Sequence, residues 1–269
     1  MISMNNGTDL FHELFSLKGR CAVITGSGGG IGRALAVAFA RAGAVIGAHN
    51  RSATALTETL RQIDCVGGRA VGLDGDLTNL GVCKPLIQQA YTALGRIDIL
   101  VNCAGMNRRK PLDEVTQDDF DTITAVNLRS AFFLAQAVHP IMRAQGGGKI
   151  VNIGSVTSSI GLGGISVYGL GKAGLGQLTK TMALEWAGDN IQVNCLAPGF
   201  IDTPLNHEAL WGDAKKSAWI LERTAARRPG TTDDLLGAAL LLVSPGSNFI
   251  TGQIITVDGG FLAGGWWDA

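Results

Sequence analysis

The sequence predicts an α/β protein: a single domain over residues 1–269, built on a doubly wound parallel sheet of about seven strands with helices on both faces. Three observations predict it. Short apolar runs alternate with longer amphipathic ones along most of the chain. The short runs are apolar almost throughout, as parallel strands covered on both faces must be. A glycine-rich segment joins the first short run to the first long one.

In order, residues 21–25 (CAVIT) read as strand one. Residues 31–43 have helical spacing and end on a glycine. Residues 44–49 read as strand two, followed by a helix to about residue 65. Residues 69–76 and 96–102 read as strands three and four, separated by a helix from about 79 to 94. Residues 149–155 and 191–197 give strands five and six, so that Ser155 closes strand five, and residues 253–260 give a seventh. Segment 201–230 breaks the rhythm. It is longer than a crossover needs, carries Trp211 and Trp219, and follows Pro198 and Gly199. It reads as an insertion over one edge of the site, a lid.

Composition excludes several classes. Apolar residues make up 46% and charged residues 16%, which supplies a core and argues against disorder. With 22 basic and 22 acidic residues, nothing favours nucleic acid. Five scattered cysteines without a CxxC spacing read as free thiols in a reducing compartment. No signal-like leader and no apolar run of membrane length is present, so a cytoplasmic protein with no membrane partner is expected. No metal-ligand pattern stands out.

Segment 24–34, ITGSGGGIGRA, lies between strand one and the first helix. A phosphate can rest on a helix N-terminus there, and glycines let the backbone approach it. The spacing Gly26-x-x-x-Gly30-x-Gly32, opened by Thr25, resembles the TGxxxGxG fingerprint of the short-chain dehydrogenase/reductase family. The resemblance extends over nearly the whole chain. Asn102-Cys103-Ala104-Gly105 is similar to the family's NNAG, with Cys103 departing from it. Asn127 matches its helix asparagine, and Ser155, Tyr168 and Lys172 match its Ser…YxxxK set. Pro198-Gly199 matches its PG motif, and residues 257–260 its terminal VDGG.

The resemblance implies a Rossmann-type fold and an NAD(P)-dependent enzyme interconverting a secondary alcohol and a ketone. It implies cofactor contacts from Gly26, Gly30, Ile31, Gly32, Asn102, Ala104, Gly105, Tyr168, Lys172, Pro198, Gly199, Ile201 and Thr203. Asp76 and Leu77, at the end of strand three, would touch the adenine. Asn127 would anchor a water in a proton relay, and Lys172 would also bind the nicotinamide ribose.

Cofactor choice is read about 20 residues past the glycines, where an acid suits the free 2′-hydroxyl of NAD and an arginine the 2′-phosphate of NADP. That position is His49-Asn50-Arg51, without a carboxylate. Asn50 and Arg51 therefore favour NADP(H), with NAD(H) possible. Against this, Gly29 stands where NADP-dependent relatives often carry a basic residue. The alternative for Arg51 is an ordinary solvated arginine.

In SVYGLGKAGL (166–175), Tyr168 and Lys172 are four apart and share a helix face. A free tyrosine titrates near ~10, and a neighbouring cation favours its phenolate. Tyr168 thus suits a general acid in reduction and a general base in oxidation, with Ser155 holding the substrate oxygen. Gly169 and Gly171 each cost about 1 kcal/mol in a helix relative to alanine. A backbone kept thin for a bound molecule would explain them.

Arg108 and Arg109, just past the NCAG stretch, resemble the sugar-acid branch of the family, of the gluconate 5-dehydrogenase and 2-keto-3-deoxygluconate type. Arg108 could pair with a substrate carboxylate, or belong to a basic surface loop. Alternatives are a 3-oxoacyl-acyl-carrier-protein reductase, an enzyme of neutral ketones or steroid alcohols, and a non-catalytic dinucleotide sensor. Trp266 and Trp267 near the end of the chain suggest a subunit interface, and the resemblance implies a homotetramer.

Overall fold

The computed structural model describes residues 9–265. Seven strands, β1 (Cys21–Ile24), β2 (Val45–Asn50), β3 (Arg69–Asp74), β4 (Ile99–Asn102), β5 (Gly148–Ile153), β6 (Ile191–Pro198) and β7 (Ile254–Val257), form one sheet in the order β3-β2-β1-β4-β5-β6-β7. Every neighbouring pair is parallel. Strand order reverses between β1 and β4, which opens a crevice at their carboxyl ends.

The continuous apolar character of the strands has a direct cause. Ala22 and Ile24 of β1 face one core cluster, which holds Leu35 and Phe39 of α2 (Gly30–Arg41) and Leu242 of α10 (Leu236–Val243). Val23, between them, faces the other, which holds Leu86 of α4 (Cys83–Leu94) and Leu134 of α6 (Ser130–Ala144). Side chains alternate across the sheet, and both faces are covered. Three further helices are α1 (Leu10–Phe15), α3 (Thr57–Cys65) and α5 (Gln117–Thr124). A 21-residue helix, α7 (Ser166–Trp186), follows β5. None of the helices described is long and apolar enough to cross a membrane.

Several expected boundaries move. β3 stops at Asp74, so Asp76 and Leu77 lie in the turn beyond it. There the Asp76 carboxylate accepts from Thr78 N (3.0 Å) and Thr78 Oγ1 (2.9 Å), a local turn that competes with extended pairing. β5 stops at Ile153, and Ser155 instead caps a 3₁₀ turn, Val156–Ser158. Where the sequence reading assigns only a helical Asn127, the chain forms α5, a single π turn (Ala125–Arg129) and α6. The start of α5 is fixed by a capping box between Thr116 and Asp119.

Segment 201–230 contains two short helices, α8 (His207–Leu210) and α9 (Ala214–Arg223). Its ends meet in a parallel bridge between Ile201 and Gly230, so it leaves and rejoins the body at one place. The tail residues Trp266 and Trp267 lie outside the described residues.

Candidate active site

The crevice is built first from backbone. Gly26 adopts a φ of +68°, and a Cβ there would stand 2.8 Å from the Cα of Ala104. Only glycine lets the loop after β1 lie against the turn after β4. Gly30 also has a positive φ, +50°, and faces Thr203, whose Cβ would be 3.5 Å from an added Cβ. The N-terminus of α2 has no side-chain cap. Gly29, its cap residue, is extended and has nothing within 4 Å of where a side chain would begin. Amides at a helix start without a side-chain cap are suited to hold an anion.

Thr25 braces the two turns. Its Oγ1 accepts from Cys103 N (3.0 Å) and Ala104 N (3.1 Å) and donates to Val101 O (3.3 Å). Arg33 braces the loop from the other side. Its guanidinium donates to Gly28 O and to Thr59 Oγ1, and Thr59 donates to Ser27 O (2.7 Å). The sequence reading gave Arg33 no role, because nothing in its spacing points to Gly28. At the end of β2, Asn50 lies over Gly28, where any side chain would strike its amide. Arg51 is exposed beside it, and its charge helps hold the Asp76 carboxyl below the usual carboxylate range, after the larger effect of the Thr78 amide.

At the centre, Tyr168 occupies the first turn of α7, with the Lys172 ammonium 5.6 Å from its ring centroid. Lys172 is 3% exposed and donates to Ile153 O at 2.6 Å, which fixes the ammonium under the end of β5. The Oγ of Ser155 accepts from Thr157 N at 3.2 Å. Asn127 sits in the π turn, a distortion that often marks a functional site. Its Oδ1 accepts from Met106 N (2.8 Å) and its Nδ2 donates to Met106 O (2.9 Å). Between Asn127 and Lys172 lies Gly105, from which an added Cβ would be 3.6 Å from both side chains. Asn127 and Lys172 therefore meet across the turn that Thr25 holds, with Tyr168 beside Lys172.

Below them runs a buried amide chain. Asn102 donates to Asn152 (2.9 Å), Asn152 to Thr179 (2.9 Å), and Thr179 to Leu175 O (2.7 Å). It ties β4 and β5 to α7. Asn152 and Thr179 escaped the sequence reading, although a polar residue inside an apolar strand was a visible signal. Cys103 adds no acid–base chemistry, since burial pushes its thiol up to about 11.

Two expectations about this region change. An alanine at Gly169 would meet only Thr157 Cβ, at 3.9 Å, whereas one at Gly171 would stand 3.3 Å from Asn127 Cβ. At Gly174, an added Cβ would be 2.9 Å from Leu128. Gly171 and Gly174 of α7 admit the neighbouring π turn, Gly176 admits Ile254 of β7, and Gly169 alone is left facing open space. Arg108 is not a free cation either. Its Nη1 donates to Asp118 (2.6 Å) and Asp119 (3.1 Å).

The remaining motifs pack together at the far side. Pro198 ends β6, and a Cβ on Gly199 would be 2.7 Å from Asp258. Asp258 caps Gly260 N (2.9 Å) and Leu262 N (2.8 Å). Ile201 and Thr203, both buried, carry the chain from there into segment 201–230. Trp219 of that segment lies against Phe261, centroids 5.9 Å apart, and under Arg223 at 4.4 Å. Among the described residues, no cluster of three or more His, Cys, Asp or Glu is placed to hold a metal.

A family model described as Enoyl-(Acyl carrier protein) reductase matches residues 26–262. The chain is 40% identical to a 2-dehydro-3-deoxy-D-gluconate 5-dehydrogenase of Escherichia coli, over 93% of this chain and 98% of that protein. It is 39% identical to a gluconate 5-dehydrogenase of Gluconobacter oxydans, over 92% of this chain and 96% of that protein. Among solved structures, a gluconate 5-dehydrogenase from Burkholderia cenocepacia, in complex with NADP and tartrate, superposes with a TM-score of 0.90 at 42% identity, over 94% of this chain and 99% of that one.

Proposed function

The chain belongs to the short-chain dehydrogenase/reductase family, and from that premise we propose that it is an NADP(H)-dependent oxidoreductase interconverting a secondary alcohol and a ketone of a sugar acid. The observation that supports the reading is that Asn127 and Lys172 meet across Gly105, with the Lys172 ammonium 5.6 Å from the Tyr168 ring centroid. Relatives 40% and 39% identical to this chain are a 2-dehydro-3-deoxy-D-gluconate 5-dehydrogenase and a gluconate 5-dehydrogenase, which supports a sugar-acid substrate.

The residues present fit a phosphorylated dinucleotide. The α2 amides and the glycines at 26, 30 and 32 would hold the pyrophosphate. Asn50 and Arg51, with no carboxylate at the end of β2, would accept a 2′-phosphate, and a solved relative contains NADP. Asp76 and Leu77 would flank the adenine. When bound, the nicotinamide supplies or takes the hydride.

The chain's own residues handle the proton and the orientation. Tyr168 gives its phenolic proton to the forming alkoxide in reduction and takes it back in oxidation. Ser155 holds the substrate oxygen in line. Lys172, pinned by Ile153 O, fixes positive charge next to the phenol. Asn127 holds Met106, and with it the backbone that faces the substrate.

We propose a cytoplasmic homotetramer. Free thiols support the compartment. Apolar side chains left in solvent support assembly, including Phe132 and Phe133 on α6 and Leu170 and Leu184 on α7.

The test is a panel of sugar acids, neutral polyols and β-ketoacyl thioesters, followed at the nicotinamide absorbance with each cofactor. The highest kcat/KM should fall on a sugar acid with NADP(H). A higher value on a thioester would overturn the substrate, and a higher value with NAD(H) the cofactor.

A further inference from the structure

The segment from Met106 to Lys110 is held at both ends against the catalytic centre. Met106 is bonded twice to Asn127, and Lys110 N donates to Gly164 O at 3.0 Å, four residues before Tyr168. Arg108 sits midway, within about 7 Å of chain from either anchor. What fixes its side chain is Asp119, on the first turn of α5. That carboxylate is 4% exposed, yet it accepts from Arg108, from Lys110 Nζ (2.5 Å) and from both the amide (3.1 Å) and hydroxyl (2.9 Å) of Thr116. Lys110, then Thr116, hold its carboxyl well below the usual range, so it stays charged.

Both acids meet Arg108 at the same nitrogen, Nη1. Its Nη2 and Nε make no hydrogen bond to the described residues, which leaves one edge of the guanidinium fork open. The free Nε and Nη2 donors form the side-by-side pair that a carboxylate accepts bidentately. Asp118 is 78% exposed and can be displaced, whereas Asp119 is buried and cannot.

We infer that Asp119 is a positioning residue for substrate specificity: through Arg108 it presents an open guanidinium edge to the carboxylate of an acidic sugar, while the exposed charge of Asp118 repels that carboxylate. The inference rests on the sugar-acid reading above.

The two acids then act with opposite signs. Asp119→Asn should raise KM for gluconate about tenfold, the size of one charge-assisted contact. The change falls on KM rather than kcat, and KM for a neutral polyol does not follow it. Asp118→Asn should lower KM for gluconate. Plain electrostatics predicts otherwise, because removing either negative charge should help an anion bind. Asp119→Asn in an Arg108→Ala background should add little, since the side chain it positions is gone. A KM for gluconate that falls in Asp119→Asn, or rises equally for the polyol, overturns the inference. A parent protein inactive on every sugar acid overturns the function itself, and is recognised before any variant is made.

Discussion

In the proposed mechanism, Tyr168 is the residue on which turnover depends most directly. It stands in the first turn of α7 with the Lys172 ammonium 5.6 Å from its ring. Tyr168→Phe removes one oxygen and no packing. Turnover should fall by at least 10²-fold, the contribution of a general acid. NADPH affinity, read by nucleotide fluorescence, should stay within a few-fold. Activity within tenfold of the parent would remove Tyr168 from the mechanism. A second residue sets a pH dependence far from the chemistry. Lys149 is buried at the start of β5, where its side-chain partners among the described residues are Ser247 and Asn248. Burial, then the charge of Arg20, pushes its ammonium down to about 8. An unfolded lysine titrates near ~10.4, so between about 8 and ~10.4 the unfolded chain binds more protons than the folded one. Stability from this group therefore rises with pH across that window and is absent below it. Lys149→Met should raise Tm at pH 7, and the gain should vanish by about pH 10. An equal gain at both pH values would show that charge burial is not its source.

At the scale of elements, α7 carries the proposed catalytic pair and four glycines that look alike in sequence. Their surroundings separate them. Gly169 has room for a methyl group, with only Thr157 at 3.9 Å, so Gly169→Ala should stabilise by about 0.5–1 kcal/mol through helix propensity. Gly171 faces Asn127 Cβ at 3.3 Å. Gly171→Ala should therefore forgo that gain and lower kcat about tenfold, because the added methyl group pushes on the π turn that holds Asn127. Paired thermal melts and steady-state kinetics check both, and two variants that behave alike would refute the assignment. At the opposite end of the sheet, Asp98 binds β4 to β1. Burial raises its carboxyl, but Arg96, the amide of Cys21 and Arg20 together bring it below its ordinary value. A carboxylate depressed in the fold stabilises above its unfolded pKa and loses that contribution as pH falls through the folded value. Asp98→Asn should thus lower Tm at pH 7 and matter progressively less in acid.

Across the whole molecule, the sheet order places the sequence motifs together. The glycine loop, the NCAG turn and the PG turn follow β1, β4 and β6 at the carboxyl end of the sheet, the first two flanking the switch point between β1 and β4. Assembly is the other property of this scale. The proposed tetramer predicts that Phe132→Asp with Leu184→Asp reduces the mass seen by light scattering, because both side chains stand in solvent on the isolated chain. An unchanged mass would place the interface elsewhere.

Strand and helix alternation, the parallel sheet and the glycine loop were legible from the chain alone, because a strand buried on both faces must be apolar and a phosphate cradle must be bare. Tyr168 and Lys172 were legible for a similar reason, since helical spacing alone puts them on one face. The role of Arg108 was not. An arginine after the NCAG turn reads the same whether solvated or tethered, and only packing brings Asp119, eleven positions away, beneath its guanidinium. The α7 glycines likewise became distinct only once the π turn lay against them. Local pattern determined what each segment is and which groups can do chemistry. Long-range contact decided which charges are already neutralised and which backbone must stay bare, because both depend on neighbours that sequence distance does not reveal.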